Sequence, residues 1–262
     1  MKVAVTIAGQ MRDWKINVQN HMKHLIELNN ADVFVYACNK NTLHTTGQSL
    51  EQKYVITTTE DKKKIIKDTK ERYGNNLKAV FVNENEKLDE SNFGTLGYFK
   101  RRMNNQMKNI RMGYLMATKY AENNGFKYDI IVRLRPDNSM LLGPVDFSLF
   151  DIQKDNIYTT IYPSGHRDPW FFSFSEPSTF NKYCSFIYLD GYDESRTDGG
   201  FECAEIELEK YIHRSNMKLR YIPSICLPFY QYDKTKPITD FPFRNANEKL
   251  IDANGNLVEQ KV

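Results

Sequence analysis

Apolar runs long enough to cross a membrane are missing from this chain: none approaches the roughly 18 residues that a spanning helix needs. An excess of one charge is missing too. The 36 Lys and Arg residues face 33 Asp and Glu, and a net of +3 offers a nucleic-acid backbone no concentrated cationic surface. Cysteine is sparse: Cys38, Cys184, Cys203 and Cys226 show no C-x-x-C spacing, so neither a zinc knuckle nor a disulfide framework is expected, and a reducing cytoplasm suits them. The apolar stretch after Lys2 is too short for the core of a secretion signal and reads instead as a first strand. Two glycine-rich phosphate loops are absent as well. Without G-x-G-x-x-G a nicotinamide dehydrogenase is disfavoured, and without G-x-x-x-x-G-K-[ST] the usual triphosphate loop is removed.

What is present is a globular composition, with 40% hydrophobic, 13% aromatic and 26% charged residues, which excludes a disordered or fibrous chain. The 262 residues suffice for one sizeable domain that buries roughly three quarters of its extended-chain surface.

Hydrophobic periodicity gives a strand–helix alternation. Val3 to Ala8 is a strand broken by Gly9-Gln10, a helix runs from about Asn17 to Leu28, and Ala31 to Cys38 is a second buried strand. A polar loop covers Asn39 to Gln52, followed by a short strand at Tyr54 to Thr58, a helix at Asp61 to Tyr73 and a strand at Lys78 to Val82. After an acidic loop to Gly97, a long helix occupies about Tyr98 to Asn124 and stops at Gly125. Lys127 to Arg135 is a central strand that ends at Pro136. The second half is richer in aromatics: strands at Asn156 to Tyr162 and Asp168 to Phe174, helices at Pro177 to Tyr188 and Glu202 to Ser215, and a strand at Lys218 to Ile222. A terminal hairpin over Leu250 to Val258 is expected around Asn254-Gly255. The alternation predicts an α/β fold with parallel strands, and the shift in composition near residue 140 suggests two lobes on one domain.

In an open α/β sheet ligands gather at the carboxyl ends of the strands. Three such ends carry suggestive residues: Ala8-Gly9-Gln10-Met11-Arg12, then Cys38-Asn39-Lys40, then Arg133-Leu134-Arg135-Pro136-Asp137. Gly9 allows close backbone approach, and Arg12 either clamps a phosphate through its planar fork or is a surface arginine on a tight turn. Arg133 and Arg135, two apart on one strand, share a face. Charge on a buried strand is costly unless paired, so at least one should meet a carboxylate or a ligand. Asp137 at the exit can hold magnesium or manganese on a diphosphate, or close an internal ion pair with one of the arginines.

Farther along, Trp170 and the phenylalanines after it offer apolar faces to a sugar ring, and Asp168 offers a carboxylate that can serve as general base. These residues equally suit a core strand and the turn before it. Glu202 and Glu205 open a helix, where the dipole alone favours acids. His166 and His213 are isolated and read as surface or core residues before ligands.

The succession of a first strand ending in Ala8-Gly9-Gln10-Met11-Arg12, a long helix feeding Tyr128 to Asn138, then Asp168-Pro169-Trp170-Phe171-Phe172 and Glu205-Ile206-Glu207-Leu208, resembles the nucleotide-sugar-dependent glycosyltransferases of the GT-A fold, as found in viral and bacterial surface-polysaccharide synthesis. The resemblance covers most of residues 1 to 230. It implies a Rossmann-like, mixed, mostly parallel sheet flanked by helices, in a single domain with a nucleotide-sugar lobe over about 1–140 and an acceptor lobe and C-terminal tail over about 141–262. It implies transfer of a hexosyl or pentosyl unit from a nucleoside diphosphate sugar to a glycan acceptor in the cytoplasm, assisted by a divalent cation, Mn2+ or Mg2+. Asp137 stands where the family's Asp-x-Asp metal element has its last aspartate, but Arg135 replaces the first and brings positive charge of its own. Ala8, Gly9, Gln10, Arg12, Asn39, Arg133 and Arg135 are expected near the nucleotide, with Asp168 or Glu205 as the base. A non-catalytic sugar- or nucleotide-binding protein that keeps the fold, or another nucleotide-dependent transferase such as a methyltransferase, is the alternative.

Overall fold

A computed structural model of the chain describes residues 1–11, 14–45, 54–84, 96–136, 140–141, 143–160, 172–186, 204–222, 226–227, 243–244 and 250–251. In chain order the first half runs β1 (Val3–Gln10), α1 (Trp14–His21), β2 (Asp32–Cys38), β3 (Lys40–Thr45), β4 (Tyr54–Thr59), α2 (Lys62–Tyr73), β5 (Leu77–Asn83), α3 (Leu96–Asn123) and β6 (Ile130–Leu134). The second half runs β7 (Met140–Leu141), β8 (Asn156–Thr160), β9 (Phe172–Ser175), α4 (Pro177–Tyr183), α5 (Ala204–Arg214), β10 (Lys218–Ile222), β11 (Cys226–Leu227), β12 (Phe243–Arg244) and β13 (Leu250–Ile251).

Seven strands form the main sheet in the order β10, β8, β9, β6, β1, β2, β5. β1 pairs in parallel with β2 and β6, β2 with β5, and β8 with β10, whereas β9 lies antiparallel between β6 and β8. The protein is therefore α/β with a mixed, mostly parallel sheet flanked by helices. The central strands are buried and largely apolar on both faces, as parallel strands covered on both sides should be. Val3, Val5 and Ile7 of β1 join Val33, Val35, Val132 and Phe174 in a core under α1 and α2. Ala4, Phe34 and Ile131 face the other way, into a core with Ile110 and Ala117 of α3, Phe180 of α4 and Leu208 and Ile212 of α5. Helix α3 lies close on the sheet because Gly113 sits over Thr6; a Cβ there would come within 3.3 Å of Thr6 Cβ.

The amino ends of the strands are tied by polar contacts. Tyr128 donates its hydroxyl to Asp32 Oδ2 at 2.7 Å, Lys78 approaches Asp32 Oδ1 at 3.2 Å, and the Lys2 amide donates to Asp129 Oδ2 at 2.6 Å.

Several sequence expectations are corrected. Part of the polar stretch Asn39 to Gln52 is strand, not loop: β3 pairs antiparallel with β4 in a separate two-stranded sheet, so β4 does not extend the main one. Backbone pairing needs a partner of β propensity more than apolar side chains, and Val55, Ile56 and the threonines of β4 supply it. The first helix starts earlier, at Trp14, and continues from Met22 to Ile26 as a π-helical turn. Leu250–Ile251 pairs with Phe243–Arg244, and residues 252–258 of the expected terminal hairpin lie outside the described residues. Asn254-Gly255 lies outside the described residues.

Candidate functional site

The chain leaves β1 toward β2 and β5 on one side of the sheet, then crosses back over α3 to β6 on the other. This reversal makes the carboxyl ends of β1 and β6 a topological switch point, where open α/β sheets form their ligand crevice. Gly9, near the end of β1, has φ +130, a conformation L-residues rarely adopt, and a Cβ built on it would stand 3.8 Å from Pro136 Cδ. It is the backbone conformation that calls for glycine here, since a Cβ at that distance would make only an ordinary contact.

Arg133 cross-links the same two exits. Its side chain is among the most enclosed in the protein, and Nη1 donates to Ala8 O at 2.7 Å and to Leu134 O at 2.5 Å. Two of the bonds this guanidinium makes therefore go to backbone carbonyls, and the carboxylate or ligand expected of at least one of Arg133 and Arg135 is not among these two. Arg135 is half-buried one residue past β6. Asn39 follows β2; its amide N–H donates to Asn83 O at 3.3 Å and its carbonyl accepts from Glu60 N at 2.9 Å. Gln10 pairs with Cys38 at the same level of the sheet. Ala8, Gly9, Gln10, Asn39, Arg133 and Arg135 therefore meet at adjoining strand ends. Arg12, Asp137 and Asp168, with Trp170, lie outside the described residues. Glu205 is the second residue of α5. Since β10 begins shortly after α5 ends, the helix runs back along that strand, and Glu205 lies at the crevice end of the sheet but about four strand spacings, roughly 19 Å, from β1.

Buried polar atoms without hydrogen-bond partners are uncommon in folded proteins, and each calls for a cause. Three with no partner among the described residues fall around this crevice: Asn39 Oδ1 after β2, Asn17 Oδ1 on α1, and Trp14 Nε1 at the start of α1, just beyond the turn leaving β1. A fourth, Ser173 Oγ, sits on β9 opposite Arg133. Trp14 also stacks on Tyr73 at 6.4 Å, with the cations of Lys15 and Arg72 about 6 Å from its ring and Lys15 paired to Asp68.

A row of asparagines that sequence reasoning missed fastens α1 to the segment after β6. Asn17 Nδ2 donates to Pro136 O at 3.1 Å. Asn20 donates to Leu141 O and accepts from Leu141 N, both at 2.7 Å. His24 O accepts from Val145 N at 2.8 Å, and Asn29 donates to Val145 O at 2.6 Å and accepts from Phe147 N at 3.0 Å. The signal was in the sequence: asparagine is a weak helix former, and Asn17 and Asn20 are spaced to share a helix face. Burial holds the His24 imidazole below its usual pKa, with Lys23 adding to the effect. Among the described residues no three His, Cys, Asp or Glu side chains gather into a metal site, and no helix is long and apolar enough to cross a membrane. Compared with known families and characterised proteins, the chain matches no family model and no curated sequence.

Proposed function

We propose that the chain is a GT-A-like glycosyltransferase that moves a sugar from a nucleoside diphosphate sugar to a glycan acceptor. The observation that carries the reading is the concentration of partnerless buried polar atoms, Asn39 Oδ1, Asn17 Oδ1 and Trp14 Nε1, around the switch-point crevice. A ligand rich in hydrogen-bonding groups satisfies such atoms. The mixed, mostly parallel sheet agrees with the architecture the resemblance implies.

In this reading residues of about 1–140 hold the donor and those of about 141–262 the acceptor. Gly9 gives the diphosphate access to backbone, while Arg12 and Arg135 stabilise the negative charge of the leaving diphosphate as the glycosidic bond breaks. Asp168 or Glu205 accepts the proton of the attacking acceptor hydroxyl. A divalent cation would rest on Asp137. None of Ala8, Gly9, Gln10, Asn39, Arg133 and Arg135 carries a carboxylate, so these residues do not themselves make a cation site, and the charge neutralisation described rests on guanidinium groups.

A thermal-shift panel of UDP, GDP, CDP and ADP and their sugar conjugates, with and without Mn2+, tests the proposal. A shift of several degrees with one diphosphate sugar is expected, since a ligand that binds only the native state raises its stability by mass action. No shift with any member would refute it. A shift with neither transfer nor donor hydrolysis would identify a non-catalytic binding protein instead.

A further inference from the structure

The near-balance of charge over the whole chain conceals a local excess. The chain carries +3, yet α2 holds six cations, Lys62, Lys63, Lys64, Lys67, Lys70 and Arg72, against two acids, Asp68 and Glu71. Helix α2 alone therefore contributes +4, and all other residues together come to −1. Burial of Ile65, Thr69 and Tyr73 fixes the side of α2 that faces the sheet. At 3.6 residues per turn the outward side carries Lys63, Lys64, Lys67 and Lys70, all exposed, together with Glu71. Lys67 approaches Glu71 at 3.8 Å, whereas Lys63, Lys64 and Lys70 make no ion pair among the described residues.

This row works against its own helix. Lys63 and Lys67 stand four apart, and Lys67 stands three from both Lys64 and Lys70, spacings at which like charges repel. Three lysines fill the first turn, where the helix dipole disfavours cations. Folding gains nothing from such an arrangement, so its use lies with an anion outside the chain. We infer that the outward face of α2 docks on the anionic surface of a lipid bilayer. From Lys63 to Lys70 the row runs about 10 Å along one side of the helix, presenting charge to a plane rather than enclosing a small anion. Helix α1 packs beside it, with Trp14 stacked on Tyr73 and Lys15 paired to Asp68, and the next residue, Ile16, is 52% exposed. An apolar side chain beside lysines suits the boundary between headgroups and acyl chains. A nucleic-acid backbone offers it no partner, and outside α2 the chain has no cationic excess with which to enclose a duplex.

The experiment sediments the full-length protein with vesicles of phosphatidylcholine, pure or with roughly one-third phosphatidylglycerol. Wild type should bind only the anionic vesicles and leave them as NaCl rises from about 0.1 to about 1 M, where charges are screened within about 3 Å. Lys63→Gln/Lys70→Gln should lower the partition coefficient about 30-fold, roughly fivefold for each lysine at an anionic surface. Ile16→Ser should lower it several-fold with the salt dependence unchanged. Lys108→Gln/Lys119→Gln alters two exposed lysines of α3, on the other face of the sheet, and should bind as wild type does. The Lys63→Gln/Lys70→Gln protein should melt no lower than wild type, because only repulsion with Lys67 is removed. No binding of wild type to anionic vesicles, equal losses in the α2 and α3 variants, or a lower melting temperature for the α2 variant overturns the inference. Binding to a DNA duplex that persists at salt concentrations releasing the vesicles, and that Ile16→Ser leaves unchanged, overturns it in favour of a nucleic acid.

Discussion

Replacing Gly9 with alanine tests the geometry on which the crevice depends. Space is not the obstacle, since the new Cβ would stand 3.8 Å from Pro136 Cδ, an ordinary contact. The obstacle is the backbone. At φ +130 an L-residue meets its own carbonyls, and holding one in so sparsely populated a region costs about 1–3 kcal/mol. The strand cannot relax freely, because Gly9 is paired with Ala37 and the preceding carbonyl is gripped by Arg133. For a chain of this size each kcal/mol moves the melting temperature by about 2–4 °C, so a fall of roughly 2–12 °C is expected. Thermal denaturation followed by circular dichroism measures it, with Gly143→Ala as control: nothing lies within 4 Å of a Cβ there and its φ is not positive. Gly143→Ala should stay within about 0.5 kcal/mol of wild type. A Gly9→Ala protein as stable as the control would show that the end of β1 tolerates an ordinary φ, and the argument from backbone strain would fail.

Two further outcomes follow from groups away from the crevice. Burial pushes the Cys184 thiol up to about 12, with Arg111 only partly offsetting it; iodoacetamide at pH 8 should therefore leave Cys184 unlabelled until the protein unfolds, and labelling of the native protein mapped by mass spectrometry would refute this. Glu176 caps α4 by accepting from Ser178 N at 2.9 Å and Thr179 N at 2.7 Å, and from the hydroxyls of the same two residues; partial burial opposes these bonds, yet the hydroxyl bonds first and the amide bonds after them hold its carboxyl below the usual range. Its stabilisation is complete above the unfolded pKa of about 4.3 and is lost as pH falls through the lower folded value. Glu176→Ala should accordingly cost about 0.5–2 kcal/mol at pH 7 and progressively less in acid, and a cost independent of pH would count against the cap.

The elements that sequence located well were those whose pattern is decided within the segment. β1, β2 and β6 are mostly apolar runs, and α3 announces its end with Gly125, which takes φ +68. What the pattern could not convey was pairing. Nothing in Phe172 to Ser175 distinguishes an antiparallel strand from a parallel one, since direction depends on which neighbours enclose it. The strand character of Lys40 to Thr45 likewise depends on β4, not on its own polar residues. At the candidate site, Gly9 and Pro136 were legible because glycine and proline restrict the backbone they occupy. Asn17 and Asn20 were not, because their partners lie 119 and 121 residues away along the chain.

Arg133 illustrates how a residue type suggests one role and its surroundings another. The sequence placed two arginines on one face of a strand, and the α3 face of the sheet does carry a polar row there: Thr6, Arg133, Ser173 and Thr159 lie side by side on β1, β6, β9 and β8. One step toward the amino ends of β1 and β6 the facing residues are Ala4 and Ile131. The row is built into the backbone of neighbouring strands: Thr6 Oγ1 donates to Val132 O at 2.8 Å, Thr159 Oγ1 to Phe172 O at 2.9 Å, and Arg133 to the carbonyls of Ala8 and Leu134. A polar layer beneath strand ends is more expensive than an apolar one unless its bonds are made. Here those bonds fasten β1 to β6 and β8 to β9 just below the level at which the strands stop. Arg133 acts in this layer as a strut between strands, whereas Arg135 stands one residue past the strand and is half-buried. Burial separates the two neighbouring arginines: the enclosed one ties the exits of β1 and β6 together through backbone carbonyls, and the other stands partly exposed just past the end of β6.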